Sequence, residues 1–288
     1  MSFTDSTLTL EQEPLTAAQR TGFRWFMRQL MKRRSAQVGG IVVIVLLFCA
    51  LFGQFIAPYD PFEIHTEIRL TPPNNEHWFG TDELGRDLFS RVVYGSRYTV
   101  MIGLITVAIA STGGVTLGLI ASYFGGKVDT IIMRMMDVLL SFPFILLQLA
   151  IVSVLGPSLV NAMVAVGIAG IAGYARLIRS KVLAVREEEY VEAMQALGAS
   201  DTRIMFQTIL PNVTSTIVVY MTLSMPLAVL STASLSFLGL GTQPPLPEWG
   251  AMLTNSRSFI ATAFWVVAAP GLAIFITIFG LNLFGNAV

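Results

Sequence analysis

Charge is scarce in this chain. Of its 288 residues only 12% are Asp, Glu, Lys or Arg, against about 25% in soluble domains. A soluble globule is thereby excluded as the principal fold. The 18 basic and 18 acidic residues cancel to a formal net charge of zero, which leaves no basic field for a nucleic-acid partner. Cysteine is represented by Cys49 alone, so no intrachain disulfide and no cysteine-built zinc or iron–sulfur centre is available. The two histidines, His65 and His77, share one polar segment without metal-ligand spacing, and no metal site is predicted. No GxSxG elbow, HExxH pair or placeable Cys–His couple occurs, so no catalytic constellation is predicted either. Residues 118–127 close on Gly125-Gly126-Lys127 in the manner of a phosphate-binding loop. However, Ala121 and Val128 stand where such a loop needs Gly and Ser or Thr, and no strand precedes it. On this reading the chain has no nucleotide site of its own, and no cofactor is expected on it.

Apolar sequence takes the place of charge: 54% of the residues are hydrophobic and the mean hydropathy is +0.68. Residues 1–34 form a polar tail that ends in a basic stretch, Arg20 to Arg34, interleaved with Phe23, Trp25, Phe26 and Leu30. That pattern suits a helix at a membrane surface. Residues 38–57 supply about 20 uncharged positions, enough to cross ~30 Å of hydrocarbon. This first span and the polar loop behind it make up residues 35–97. Residues 98–288 hold a core of five further spans. The first covers 98–126, where Gly114 and Gly118 stand four apart, as in helices that approach closely. Residues 138–175 would measure ~57 Å as one helix, too long for a bilayer, so Gly156-Pro157-Ser158 divides them into two. Residues 213–237 follow, kinked at Pro226, whose freed carbonyl calls for neighbouring Ser or Thr hydroxyls. After a Gly- and Pro-rich connection over 239–255 comes the last span, 259–284. The fold predicted is all-α and polytopic, with six transmembrane helices. If the N-terminus is cytosolic, every Lys and Arg except Arg69, Arg86, Arg91, Arg97 and Arg257 falls on the cytosolic side, as the positive-inside rule favours.

That orientation places residues 190–211, YVEAMQALGASDTRIMFQTILP, in the cytosol. Tyr190, Val191, Met194 and Leu197 recur at helical spacing and share one predicted face. Gly198 suits the left-handed position past a helix end. Ser200 or Asp201 can cap a new turn, and Pro211 fits the first turn of a following helix. An ordinary amphipathic loop helix and a handle gripped by a partner are both compatible with this spacing. Asp137 is the one carboxylate at a span edge that stands out. A gating role and simple pairing with Arg134 three residues earlier are the two readings of it. Arg176 and Arg179 read as surface anchors.

The order Glu192-Ala193, Gly198, Leu210-Pro211 resembles the coupling loop of permease subunits in binding-protein-dependent ABC importers, although Met194 and Thr208 depart from the usual residues. His77 to Asp82, Gly85-Arg86-Asp87 and Tyr94 to Arg97 resemble the segment before the second span in C-type permease subunits of dipeptide and oligopeptide importers. Ser236 to Gly241, Pro244 and Trp249-Gly250 resemble their loop before the last span. The resemblance covers about residues 35–285. It implies a type I ABC importer transmembrane fold, with Glu192, Ala193, Met194, Gly198, Ala199, Leu210 and Pro211 at the contact with an ATPase within a coupling loop 186–211. The implied partners are a second, B-type permease subunit, two ATPase subunits carrying ATP and magnesium, an extracytoplasmic peptide-binding protein and the lipid bilayer of a bacterial inner membrane. An ATPase-independent secondary transporter or channel is the alternative, although such proteins couple through buried midplane charges that these spans lack.

Overall fold

The computed structural model describes residues 33–287. The basic stretch expected to end at Arg34 therefore lies outside the described residues, apart from its last two positions. The described residues hold helices and no strand. In chain order they are α1 (Arg34–Ile56), α2 (Leu88–Phe124), α3 (Gly126–Ser141), α4 (Phe144–Leu155), α5 (Leu159–Arg186), α6 (Glu189–Ala196), α7 (Asp201–Phe237), α8 (Trp249–Ser256) and α9 (Trp265–Gly285). Helices α1, α2, α5, α7 and α9 are each long and apolar enough to cross a membrane; α3 and α4 together form a bent sixth candidate.

The second span begins ten residues before its expected start. The Asp87 carboxylate accepts from Ser90 N at 2.7 Å and caps the helix at Leu88, meeting a donor that the first turn leaves unpaired. Arg91 and Arg97 marked this stretch as polar loop in the sequence, yet both lie within the helix. Arg91 is 2% exposed and donates to Pro61 O at 2.7 Å; the Arg97 guanidinium sits 4.1 Å over the Tyr94 ring. The loop 57–87 folds back over the start of α2, so protein rather than solvent receives these charges.

The span expected to run straight from 138 to 155 is broken instead. Helices α3 and α4 meet at 94° across Phe142-Pro143. Pro143 has no N–H to continue the helix, and its ring forces Phe142 into an extended conformation, φ −87° and ψ 140°, as expected for a residue before proline. The turn at Gly156-Pro157-Ser158 divides α4 from α5 as predicted, with Ser158 Oγ accepting from Asn161 N at 3.0 Å.

Helix α7 also differs from its expected form. It runs as one span from Asp201 to Phe237, and Pro211 falls in the first turn of its regular α-helical part, which begins at Leu210, as expected. A wider, π-type turn over Ile204–Ile209 precedes the proline, and Leu210 N reaches back five residues to Met205 O. Such a turn lets the ladder pass a residue with no donor. At Pro226 the nearby hydroxyls serve other carbonyls than the one the ring frees: Thr222 Oγ1 donates to Val219 O and Ser224 Oγ to Met221 O. The connection 239–255 is less broken than its composition suggests. Both carboxylate oxygens of Glu248 cap α8, accepting from Gly250 N and Ala251 N at 2.8 and 2.9 Å. Burial pushes this carboxyl above the usual range, while the two N–H groups draw it back.

Gly114 and Gly118 bring α2 against α5. A Cβ on Gly114 would stand 2.3 Å from Tyr174 Cβ and 2.6 Å from Ile171 O; one on Gly118 would stand 2.6 Å from Ala175 O. Gly114→Val is expected to force the two helices apart, at the upper end of the ~1–3 kcal/mol that overpacking costs. The thermal midpoint of the detergent-solubilised protein measures it. Gly271→Ala, whose new methyl meets nothing nearer than 3.9 Å, is the control and should not lower the midpoint.

Candidate functional site

Helix α2 has 37 residues and is therefore ~55 Å long. Its two ends lie on opposite sides of a ~30 Å hydrocarbon layer. The loop 57–87 and α8 gather at its start; α6 gathers at its finish.

At the finish, α6 is seated by one residue. Val191 is fully buried in a cluster with Leu119 and Tyr123 of α2, Ile178 and Val182 of α5, and Ile204, Met205, Ile209 and Val213 of α7. Met194, Ala199 and Leu210 pack against the same cluster. Polar contacts complete the seat. Tyr123 Oη donates to Asp201 Oδ1 at 2.7 Å, and Arg186 Nη1 donates to Ser122 O and Tyr123 O at 2.9 and 3.1 Å. Helix α6 then ends in a Schellman turn. Gly198 has φ +76°, its N–H donates to Gln195 O, and Ala199 N–H donates to Met194 O.

The four residues expected to share a face divide. Val191 is buried and Met194 half-buried, but Tyr190 is exposed and Leu197 is 83% exposed. Glu192, Ala193, Gly198 and Pro211 are exposed as well. The segment is thus held by one face and presents the other, with a bare leucine at its tip. Neither Ser200 nor Asp201 caps the following turn with its side chain; Asp201 is engaged by Tyr123 instead. Tyr123 was not predictable from sequence, because 78 residues separate it from its partner. Arg186 is marked in the sequence only as the first residue of the coupling loop 186–211.

The alternative pairing of Asp137 with Arg134 is not what the structure shows. Asp137 Oδ1 accepts from Arg176 Nη2 of α5 at 2.6 Å, and both side chains are about half exposed. One helical turn pair away, Arg179 holds Asp129 with two donors. Arg176 and Arg179 are therefore cross-helix partners, not bare surface anchors.

At the other end, Asp82 organises a buried ionic cluster. Its carboxylate accepts from Leu84 N, Arg86 N and Arg86 Nε at 2.9, 3.0 and 2.7 Å and stands 3.4 Å from Arg91 Nε. His77 Nδ1 lies 2.9 Å from Asp87 Oδ1, the same carboxylate whose second oxygen caps α2. Trp249 Nε1 donates to Val92 O at 3.0 Å and ties α8 to α2. His65 and His77 thus belong to ordinary polar networks, and among the described residues no group of His, Cys, Asp and Glu could hold a metal ion.

A bundle of apolar helices with a short helix held out at one end and a folded polar loop at the other is the architecture of a polytopic membrane protein. The chain belongs to the family of binding-protein-dependent transport system inner membrane components, whose model matches residues 114–288; residues 23–73 match the N-terminal transmembrane domain of oligopeptide transport permease C. It is 44% identical to the dipeptide transport system permease protein DppC of Alkalihalophilus pseudofirmus, over 92% of this chain and 88% of that one. The di/tripeptide permease DppC of Pseudomonas aeruginosa is 41% identical over 91% and 89%, and the glutathione permease GsiD of Pectobacterium atrosepticum 42% over 93% and 90%. Among solved structures, a chain of the MetNI methionine ABC transporter in an inward-facing conformation superposes with TM-score 0.57 at 18% identity, covering 68% of this chain and 93% of that one. The protein is a multi-pass inner membrane permease subunit with a type I ABC importer fold.

Proposed function

We propose that this chain forms half of the translocation path of an ATP-driven importer for dipeptides or oligopeptides. A second, B-type permease subunit supplies the other half. The N-terminus and α6 lie in the cytosol, where two ATPase subunits carrying ATP and magnesium receive α6; a peptide-binding protein delivers solute on the opposite side. The observation that carries this reading is the mounting of α6, anchored through Val191 to the ends of three long helices while Glu192, Ala193 and Leu197 remain free. A force applied to that free face passes into α2, α5 and α7 together. ATPase closure would push the face, the helices would rock as rigid bodies, and the path would open outward; hydrolysis would return it. The names of the peptide-transporting relatives support the substrate class.

The test is a site-directed cross-link. In a Cys49→Ser background, Leu197→Cys in the assembled transporter is expected to cross-link to a co-purifying ATPase subunit, while Ile44→Cys on the exposed face of α1 does not. Absence of any ATPase from the purified complex, or labelling of Leu197→Cys from outside intact cells, would overturn the reading.

A further inference from the structure

The Asp137–Arg176 pair joins α3 to α5 toward their α6-side ends, which also carry the Arg179–Asp129 pair. Both of its groups are about half exposed. A charge facing hydrocarbon is costly, and an intramembrane ion pair normally faces a protein interior or a water-filled cavity. Beside the pair lies a partly open groove of about 140 Å³, lined by α2, the α3–α4 bend, α5 and α7. Its lining is mostly apolar, but Thr106, Tyr174, Tyr220 and Ser224 all contribute to it. Tyr174 Oη and Ser224 Oγ are hydrogen-bonded at 2.6 Å, and the Tyr174 and Tyr220 rings meet edge to face. The Thr106 hydroxyl is buried and has no protein partner, although it lines this space.

Register connects the cavity to the pair. Gly170 and Gly173 line the cavity, and Arg176 follows one turn after Gly173 on α5. Leu140 lines it as well, one turn after Asp137 on α3. A charged pair and a hydroxyl-bearing cavity are therefore stacked along one groove, with the pair toward the α6 end. We propose that this groove is the stretch of the translocation path contributed by this chain, and that Asp137 and Arg176 form its charged station. One carboxylate and one guanidinium, each half free, complement the ammonium and carboxylate ends of a short zwitterionic peptide. This assignment rests on the importer reading for its solute, but not for its contact with water.

Two measurements test it, both on the complete transporter. In a Cys49→Ser background, Ser224→Cys and Arg176→Cys are labelled with a charged methanethiosulfonate reagent added to inside-out vesicles. Both are expected to react at least about tenfold faster than Ile44→Cys, which is 67% exposed on an apolar helix, because a charged reagent avoids hydrocarbon. Lys127→Cys, exposed at the same end of the bundle and outside the α6 contact, reports that the reagent and the vesicles are sound. In reconstituted transporter, Asp137→Asn and Arg176→Gln are each expected to lower dipeptide uptake about tenfold, the worth of one charge-assisted contact. Arg176→Lys, which keeps the charge, should stay near wild type. The groove assignment is overturned if Ser224→Cys labels no faster than Ile44→Cys. The station is overturned if the two neutral variants transport at the wild-type rate or Arg176→Lys fails with them. An absent ATPase would sink the importer reading while leaving the labelling result intact.

Discussion

Gly198→Val is expected to abolish coupled uptake while the protein still inserts and assembles. The residue has φ +76° and nothing lies within 4 Å of the position a Cβ would take, so crowding plays no part. The effect is wholly conformational. A left-handed backbone costs an ordinary L-residue about 1–2 kcal/mol, and a β-branched one more. Avoiding that conformation breaks the Schellman turn and leaves Gln195 O and Met194 O without their donors. The helix then loses its fixed direction relative to α7, and a push on its exposed face is no longer transmitted. Reconstituted transporter should hydrolyse ATP without accumulating solute. Gly198→Asn, which tolerates the left-handed region, should retain most uptake. Wild-type uptake by the valine variant would rule out α6 as the transmitting element.

The second large effect is expected at the opposite end. Asp82→Ala removes a buried carboxylate that holds two buried guanidinium groups and two backbone N–H groups. Breaking such a cluster from one side typically costs about 3–5 kcal/mol, because Arg86 and Arg91 then keep only a 3.4 Å contact with Glu83 and a bond to Pro61 O. The thermal midpoint of the purified protein should fall by many degrees, and the loop 57–87 should become protease-sensitive. The triple replacement Asp82→Ala, Arg86→Met, Arg91→Met should recover much of the loss, since apolar groups need no partner. If the single variant melts like wild type, Asp82 is not the keystone of this loop.

The two ends of the chain were unequally legible from sequence. The apolar runs and the absence of charge placed most spans, and Gly114, Gly118 and Gly198 carried their geometry openly. Charge misled where protein rather than water receives it: Arg91 and Arg97 argued for loop, and both lie within α2. The α3–α4 bend had its signal in Phe142-Pro143, which hydropathy alone overrides. At the candidate site, the left-handed glycine was readable from local pattern, but the shared face of Tyr190, Val191, Met194 and Leu197 was not a guide to burial, since only Val191 is fully buried. The tether from Tyr123 to Asp201, the pairing of Asp137 with Arg176 and the largely apolar groove between α2, α5 and α7 were not readable. Each depends on which helices become neighbours, and a single sequence records no such distances.

The length of α2 has a mechanical consequence. It is one unbroken shaft fastened at both extremities, by Arg186 to its final carbonyls and by Trp249 to its first turns. Tilting a ~55 Å rod by about 5° displaces its far tip by roughly 5 Å. A small nudge on one face of the membrane therefore arrives at the other as a stroke nearly as wide as a strand spacing, with no joint between to absorb it.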